Sequence, residues 1–160
     1  MTGKDAVVIE RIFDAPVELI WQMWVTPEHF KNWYGPTGFS VPVAEMEARV
    51  GGKRLVCMEM QTPDRTMKMW TTGEYTEIIP NRRLVYTESM SDENGNLVAM
   101  PGSDSPMITE VSVVLEDLGG RTKMVMTHAG IPADSGGNAG WEQAFDKLAN
   151  LLDTVTFGNQ

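Results

Sequence analysis

Cysteine is almost missing: Cys57 is the only one in 160 residues. No internal disulfide can form, and the expectation is a chain of a reducing compartment, the cytoplasm. Histidine is nearly as scarce, with His29 and His128 far apart. A zinc site made from these three residues is not expected. No run of about 18 apolar residues occurs, so no membrane span is expected. The opening Met1-Thr2-Gly3-Lys4-Asp5 lacks the apolar segment of a signal peptide. Positive charge is in deficit. Thirteen Lys and Arg against twenty-two Asp and Glu give −9, a charge that repels phosphate backbones and excludes nucleic acid as the expected partner. No GxSxG is present, and Gly51-Gly52-Lys53-Arg54 lacks the spacing of a phosphate-binding loop. No metal and no cofactor is expected.

What is present suffices for one domain over residues 1–160, with 42% hydrophobic residues and a real core. The chain is organised around Gly140 to Val155. Trp141, Ala144, Phe145, Leu148, Leu151, Leu152 and Val155 recur at spacings of three and four, one apolar stripe on a helix. Asn138 stands where a cap is expected and Gly158 where such a helix stops. Upstream, Ala6 to Phe13 reads as a strand. Pro16 and Thr26-Pro27-Glu28 then start two short helices carrying Trp21, Trp24, Phe30 and Trp33, with Thr26 as the second cap. From Phe39 to His128 the pattern is mostly β. Strands are expected at Phe39–Ala48, where Pro42 marks an edge or bulge, and at Lys53–Gln61, Met67–Ile79, Arg83–Met90, Ile108–Asp117 and Arg121–His128. The short links between them imply antiparallel pairing. Ser91 to Met107 reads as a long loop, with a hairpin of its own and a possible role as a gate.

Alternation along the strands sorts the two faces. Arg54, Val56, Met58 and Met60 oppose the solvent-seeking Lys53 and Glu59. Met67, Met69, Thr71, Gly73, Tyr75 and Glu77 share the inward face, as do Leu84, Tyr86 and Glu88, and Thr122, Met124, Met126 and His128. Leu55, Cys57, Trp70 and Ile78 fall outward. Flexible, polarizable methionines suit either gap-filling or an adaptable apolar wall. The more telling feature is the polar set on that face, Arg54, Tyr75, Glu77, Tyr86, Glu88 and His128: Arg54 either bridges to Glu88 or Glu77, or stands in a partly hydrated cavity. His128 with Glu88 reads either as a satisfied structural pair or as a general acid–base pair.

The order strand, two short helices, six strands, long helix resembles the SRPBCC (START-like, birch-pollen-allergen-like) superfamily. Within it the chain is similar to homologues of the activator of the heat-shock protein 90 ATPase. The matching pieces are Phe13-Asp14-Ala15-Pro16, Thr26-Pro27-Glu28 through Trp33-Tyr34-Gly35-Pro36, Val50-Gly51-Gly52, Gly73-Glu74-Tyr75-Thr76-Glu77-Ile78-Ile79-Pro80, Leu84-Val85-Tyr86-Thr87 and Gly140-Trp141. The resemblance implies an α+β helix-grip fold, a curved antiparallel sheet of about seven strands wrapped around the last helix, with a cavity between. It does not imply one activity. Arg54 stands where the resemblance leads one to expect an aromatic or aliphatic residue, and offers an anchor for a carboxylate or another anion.

Three functions follow as expectations. The first is binding of a small apolar or amphipathic molecule. Arg54, Tyr75, Tyr86, Glu88 and His128 would orient it, and Met58, Met69, Met126, Trp141 and Phe145 would wall it. The second is a cyclase or lyase using the same cavity. The third is a co-chaperone-like interaction module, which needs an apolar outer face that would equally serve a homodimer. The co-chaperone that names the family carries an additional N-terminal domain, so a chaperone-activating role is the least expected.

Overall fold

A Val- and Ile-rich segment forms strand β1 (Ala6–Phe13), and Pro16 sets the backbone for helix α1 (Val17–Val25). Helix α2 (Pro27–Phe30) follows with only Thr26 between. Strands β2 (Ser40–Met46), β3 (Lys53–Gln61), β4 (Thr66–Ile79), β5 (Arg83–Ser91), β6 (Ile108–Asp117) and β7 (Thr122–Ala129) precede helix α3 (Gly137–Gly158). This computed structural model describes residues 6–98, 108–130 and 137–158. All seven strands lie in one antiparallel sheet of order β1-β7-β6-β5-β4-β3-β2. The chain leaves β1 at one edge and enters β2 at the other, and α1 and α2 are what it crosses on.

The stripe of α3 buries Trp141, Ala144, Phe145, Leu148 and Leu152, and half-buries Leu151. Alternate residues of the strands meet it: Ile9 from β1, Leu84 and Tyr86 from β5, Val111 and Val113 from β6, Met124 and Met126 from β7. The helix pair adds Trp24, Phe30 and Trp33, so that aromatic rings dominate one end of the core. Trp24 meets Trp33 edge-on at 4.9 Å, and Phe30 stacks on Tyr34 at 4.4 Å. Such ring pairs contribute about 0.5–1.5 kcal/mol beyond their burial.

Several local expectations need correction. Helix α3 begins at Gly137, so Asn138 lies inside it rather than before it, and Gly158 is its last residue rather than the one after. The side chains of Asn138 and Val155 lie outside the described residues. Thr26 makes no side-chain cap; its hydroxyl donates to Gln22 Oε1 at 2.5 Å. In β4 the register shifts between Tyr75 and Glu77. One extra residue on one strand turns every later side chain over. Glu77 therefore faces outward and pairs with Arg83 at 2.8 Å, while Ile78 turns in and packs on the core. The strand around Pro42 is an edge strand with an irregularity between Ser40 and Val43. Of the segment 91–107, residues 92–96 form a tight turn held by Asp92, and Ser91 bridges Leu97. A gate in residues 99–107 lies outside the described residues.

Candidate functional site

Cross-strand partners share a face. Arg54 on β3 pairs with Gly73 on β4. Thr72 opposite Ser89 and Tyr75 opposite Tyr86 set Gly73 against Glu88 on β5, and Glu88 pairs with Thr109 on β6. The adjoining row runs Tyr75, Tyr86, Val111, His128. A polar lane thus crosses the inner face of an otherwise apolar sheet. Gly73 lies at its middle, where any Cβ would meet the Thr87 carbonyl oxygen at 1.8 Å. The β5 backbone fills the place of a side chain there, so the row carries no third side chain between an arginine and a glutamate two strands apart.

Arg54 is 3% exposed. Its guanidinium lies 3.6 Å from the centre of the Tyr86 ring, with Phe30 at 5.3 Å and Tyr75 at 5.6 Å. Stacking of this kind is worth about 2 kcal/mol when desolvated. Among the described residues no carboxylate forms a contact ion pair with it. Among the described residues, Arg54 Nε and the hydroxyls of Tyr75 and Tyr86 meet no partner in hydrogen-bond geometry. Burial works against the cation, but Tyr86, Tyr75, Tyr34 and Glu88 together hold its pKa above the ordinary value. Burial pushes the phenols of Tyr34, Tyr75 and Tyr86 up, and Arg54 only partly opposes this.

His128 is held by both ring nitrogens. Trp141 Nε1 donates to Nδ1 at 3.1 Å, so Nδ1 carries no proton. The neutral ring then bears its proton on Nε2, which donates to Thr109 Oγ1 at 2.8 Å. The Thr109 hydroxyl in turn donates to the Glu88 carbonyl at 2.9 Å. Burial depresses the imidazole pKa, while Glu88 pulls the other way. The Glu88 carboxylate accepts from the Tyr34 hydroxyl on Oε2 at 3.0 Å. Its Oε1 lies 3.8 Å from His128 Nε2, too far for a hydrogen bond. No other described group donates to Oε1.

Beside this lane, a cleft of about 300 Å³ opens between the sheet, the turn at Tyr34-Gly35-Pro36 and the first turns of α3. Met58, Met69, Pro36, Trp141 and Ala144 give it apolar walls; Tyr34, Glu88 and His128 are its polar fixtures. Lys147 pins α3 to the turn, donating to the carbonyls of Tyr34 at 3.4 Å and Pro36 at 3.3 Å. Gln143 does the same by accepting from the Thr37 amide at 2.9 Å. A wider, more polar groove of about 600 Å³ lies among Glu45, Lys53, Thr72, Glu74 and Asn94.

The expected site residues fall into three groups. Met58, Met69, Glu88, His128 and Trp141 line the cleft. Arg54, Tyr75 and Tyr86 form the buried cluster behind Glu88, and Met126 and Phe145 are fully buried core. Sequence reasoning did not place Gly35, Pro36, Gly140, Ala144 or Lys147 at the site, and read Tyr34 as packing. Only the stacking of a turn on a helix in three dimensions assembles that wall; the adjacency of Gly35 and Pro36 was its one local sign. Among the described residues, no group of three or more His, Cys, Asp or Glu is arranged to hold a metal, and no helix is long and apolar enough to cross a membrane.

Comparison with known proteins gives consistent results. The family model for Activator of Hsp90 ATPase homolog 1-like protein matches residues 14–153. No curated protein matches. Solved structures do. A protein from Nitrosomonas europaea is similar with a TM-score of 0.79 at 20% identity, over 98% of this chain and 99% of that one. One from Arthrobacter aurescens gives 0.78 at 26%, over 95% and 88%. The AHSA1 protein from Silicibacter pomeroyi gives 0.72 at 19%, over 93% and 98%.

Proposed function

The chain belongs to the Activator of Hsp90 ATPase homolog 1-like family, and from that premise we propose that it binds a small, largely apolar or amphipathic molecule in the cleft beside α3. One observation supports this above the others: the cleft joins apolar walls to a few converging polar groups, the usual form of a small-molecule site. Met58 and Met69 adapt to the guest, Trp141 offers a ring face, and Glu88 orients it. His128 and Thr109 act by holding Trp141 and the β5 backbone in place. Arg54 balances the Glu88 charge from behind, with Tyr75 and Tyr86 stacked on its guanidinium, while Met126 and Phe145 support the wall. A lone, buried cysteine suits a cytoplasmic carrier.

The test is displacement of a fluorescent naphthalene probe, read alongside melting temperature, because a ligand that binds only the native state raises Tm by mass action. The expected result is saturable binding that Gly140→Leu abolishes. That substitution fills the cleft, and its Cβ lies 3.4 Å from Pro36 Cγ, ordinary contact. It also replaces glycine in a helix, so it leaves the fold at least as stable by about 0.5–1 kcal/mol. Binding unchanged in Gly140→Leu would refute the location.

An enzymatic use of the same cleft rests on Glu88, the acid or base with an oxygen left open to it. His128 is committed at both nitrogens and is a poor proton carrier in this state. Self-association through the outer face has less support. Val8, Ile12 and Val114 are exposed there, but Glu10, Lys123 and Glu116 separate them. Light scattering checks it; a monomer is the expected result.

A further inference from the structure

Resting on the reading above, the geometry points to an uncharged ligand that carries a hydroxyl or N–H, and donates it to Glu88 Oε1. Three observations combine.

The first is the free acceptor. Glu88 lines the cleft, and its Oε2 is taken by Tyr34. Oε1 lies 3.8 Å from His128 Nε2, and that N–H is spent on Thr109. On a side chain 13% exposed that lines the cleft, a donor from a bound molecule gains a hydrogen bond to a charged acceptor. The protein supplies none among its described residues.

The second is the order of the charges. Glu88 lines the cleft and Arg54 does not. An incoming carboxylate meets the glutamate before it can reach the guanidinium, which is already stacked on Tyr86. A carboxylate is therefore repelled at the wall. An incoming ammonium is drawn to Glu88, but the Arg54 guanidinium lies behind it, over the Tyr86 ring of the same strand. Its charge opposes a second cation in surroundings that screen poorly.

The third is the balance already reached. Arg54 is positive, Glu88 negative, and His128 neutral by its hydrogen bonds. The lane sums to zero without a ligand. A neutral donor preserves that sum and satisfies the open oxygen; either ion breaks it. The volume, about 300 Å³, accommodates roughly ten to fifteen non-hydrogen atoms at ordinary packing.

The experiment compares four probes of one length: octanol, heptyl methyl ether, octanoate and octylammonium. Affinities are read from the methyl resonances of Met58 and Met69 in the intact protein. Octanol is expected to bind at least tenfold tighter than the ether, the magnitude of one hydrogen bond to a charged acceptor, and tighter than both ions. In Glu88→Gln the alcohol-to-ether ratio should fall below about threefold, since a neutral carbonyl accepts less strongly. Equal binding of alcohol and ether overturns the inference and leaves the ligand-binding reading intact. Tightest binding of octanoate overturns it in favour of an anion reaching Arg54, and of octylammonium in favour of a cation on Glu88. No shift of either methyl with any probe refutes the ligand-binding reading itself. If Glu88→Gln fails to fold, the ranking on the unaltered protein still decides.

Discussion

Arg54 is the residue on which the interior is most sensitive. An arginine and a lysine are not equivalent when a planar guanidinium lies on a ring. In Arg54→Lys the ammonium keeps the burial penalty, loses the stacking on Tyr86 and is more strongly hydrated. A loss of about 2 kcal/mol is expected. Arg54→Met gives up the stacking too, but removes the buried charge, and should be the milder change. Denaturant midpoints of the two variants check the order; Lys milder than Met would refute it. His128 makes a second prediction. Its pKa is depressed in the folded protein, so the unfolded chain takes up the proton first. Its contribution is complete above the ordinary value of 6.5 and is lost as pH falls below it. Protonation also places a hydrogen on Nδ1, where Trp141 now donates. The stability gap between the protein and His128→Gln should therefore narrow below pH 6.5; a gap independent of pH would contradict the neutral tautomer. The alternation of β3 and β5 made Arg54 and Glu88 legible as inward residues before any coordinates. That they form no contact ion pair was not legible, because strand phase gives a face and not the direction in which a long side chain turns along it.

Among the elements, α3 was the most readable and β4 the least. Seven apolar residues at helical spacing could bury only one way, and five of them are buried as expected. Phe145, fully buried between Phe13, Trp24 and Trp141, should cost about 3–5 kcal/mol as Phe145→Ala. Thermal unfolding measures this, and a loss under 1 kcal/mol would mean the helix is not the organising contact. In β4 the irregularity at Thr76 reversed Glu77 and Ile78. A run of Glu74-Tyr75-Thr76-Glu77-Ile78 alternates well in either phase, so nothing local announced it. Gly73 is the other hidden feature of that strand. Gly73→Ala sets a methyl 1.8 Å from the Thr87 carbonyl oxygen, which backbone cannot absorb cheaply. A loss above about 3 kcal/mol or failure to fold is expected; a well-behaved Gly73→Ala protein would show that β4 and β5 separate more easily than their spacing implies.

For the molecule as a whole, the antiparallel pairings of β2 through β5, and of β6 with β7, follow from short links, while β5 and β6 pair across the longer segment 92–107. The placement of β1 does not. Its partner is β7, with Ala6 opposite Ala129 and Phe13 opposite Thr122. No linker length announces a pairing between the first strand and the last. It follows only from α1 and α2, whose buried aromatic faces carry the chain under the sheet to β2. This arrangement governs when the protein can come into being. While it emerges from a ribosome, β1 waits with an open edge until more than a hundred further residues have been made, and α3 arrives later still. Closing so long a loop costs entropy before any contact repays it. Folding in the millisecond-to-second range is expected, as for other sheets of distant pairings, and stopped-flow tryptophan fluorescence measures it. A nascent chain released before β7 has no route to its fold, and its first strand is then free to add to the sheet of a neighbour.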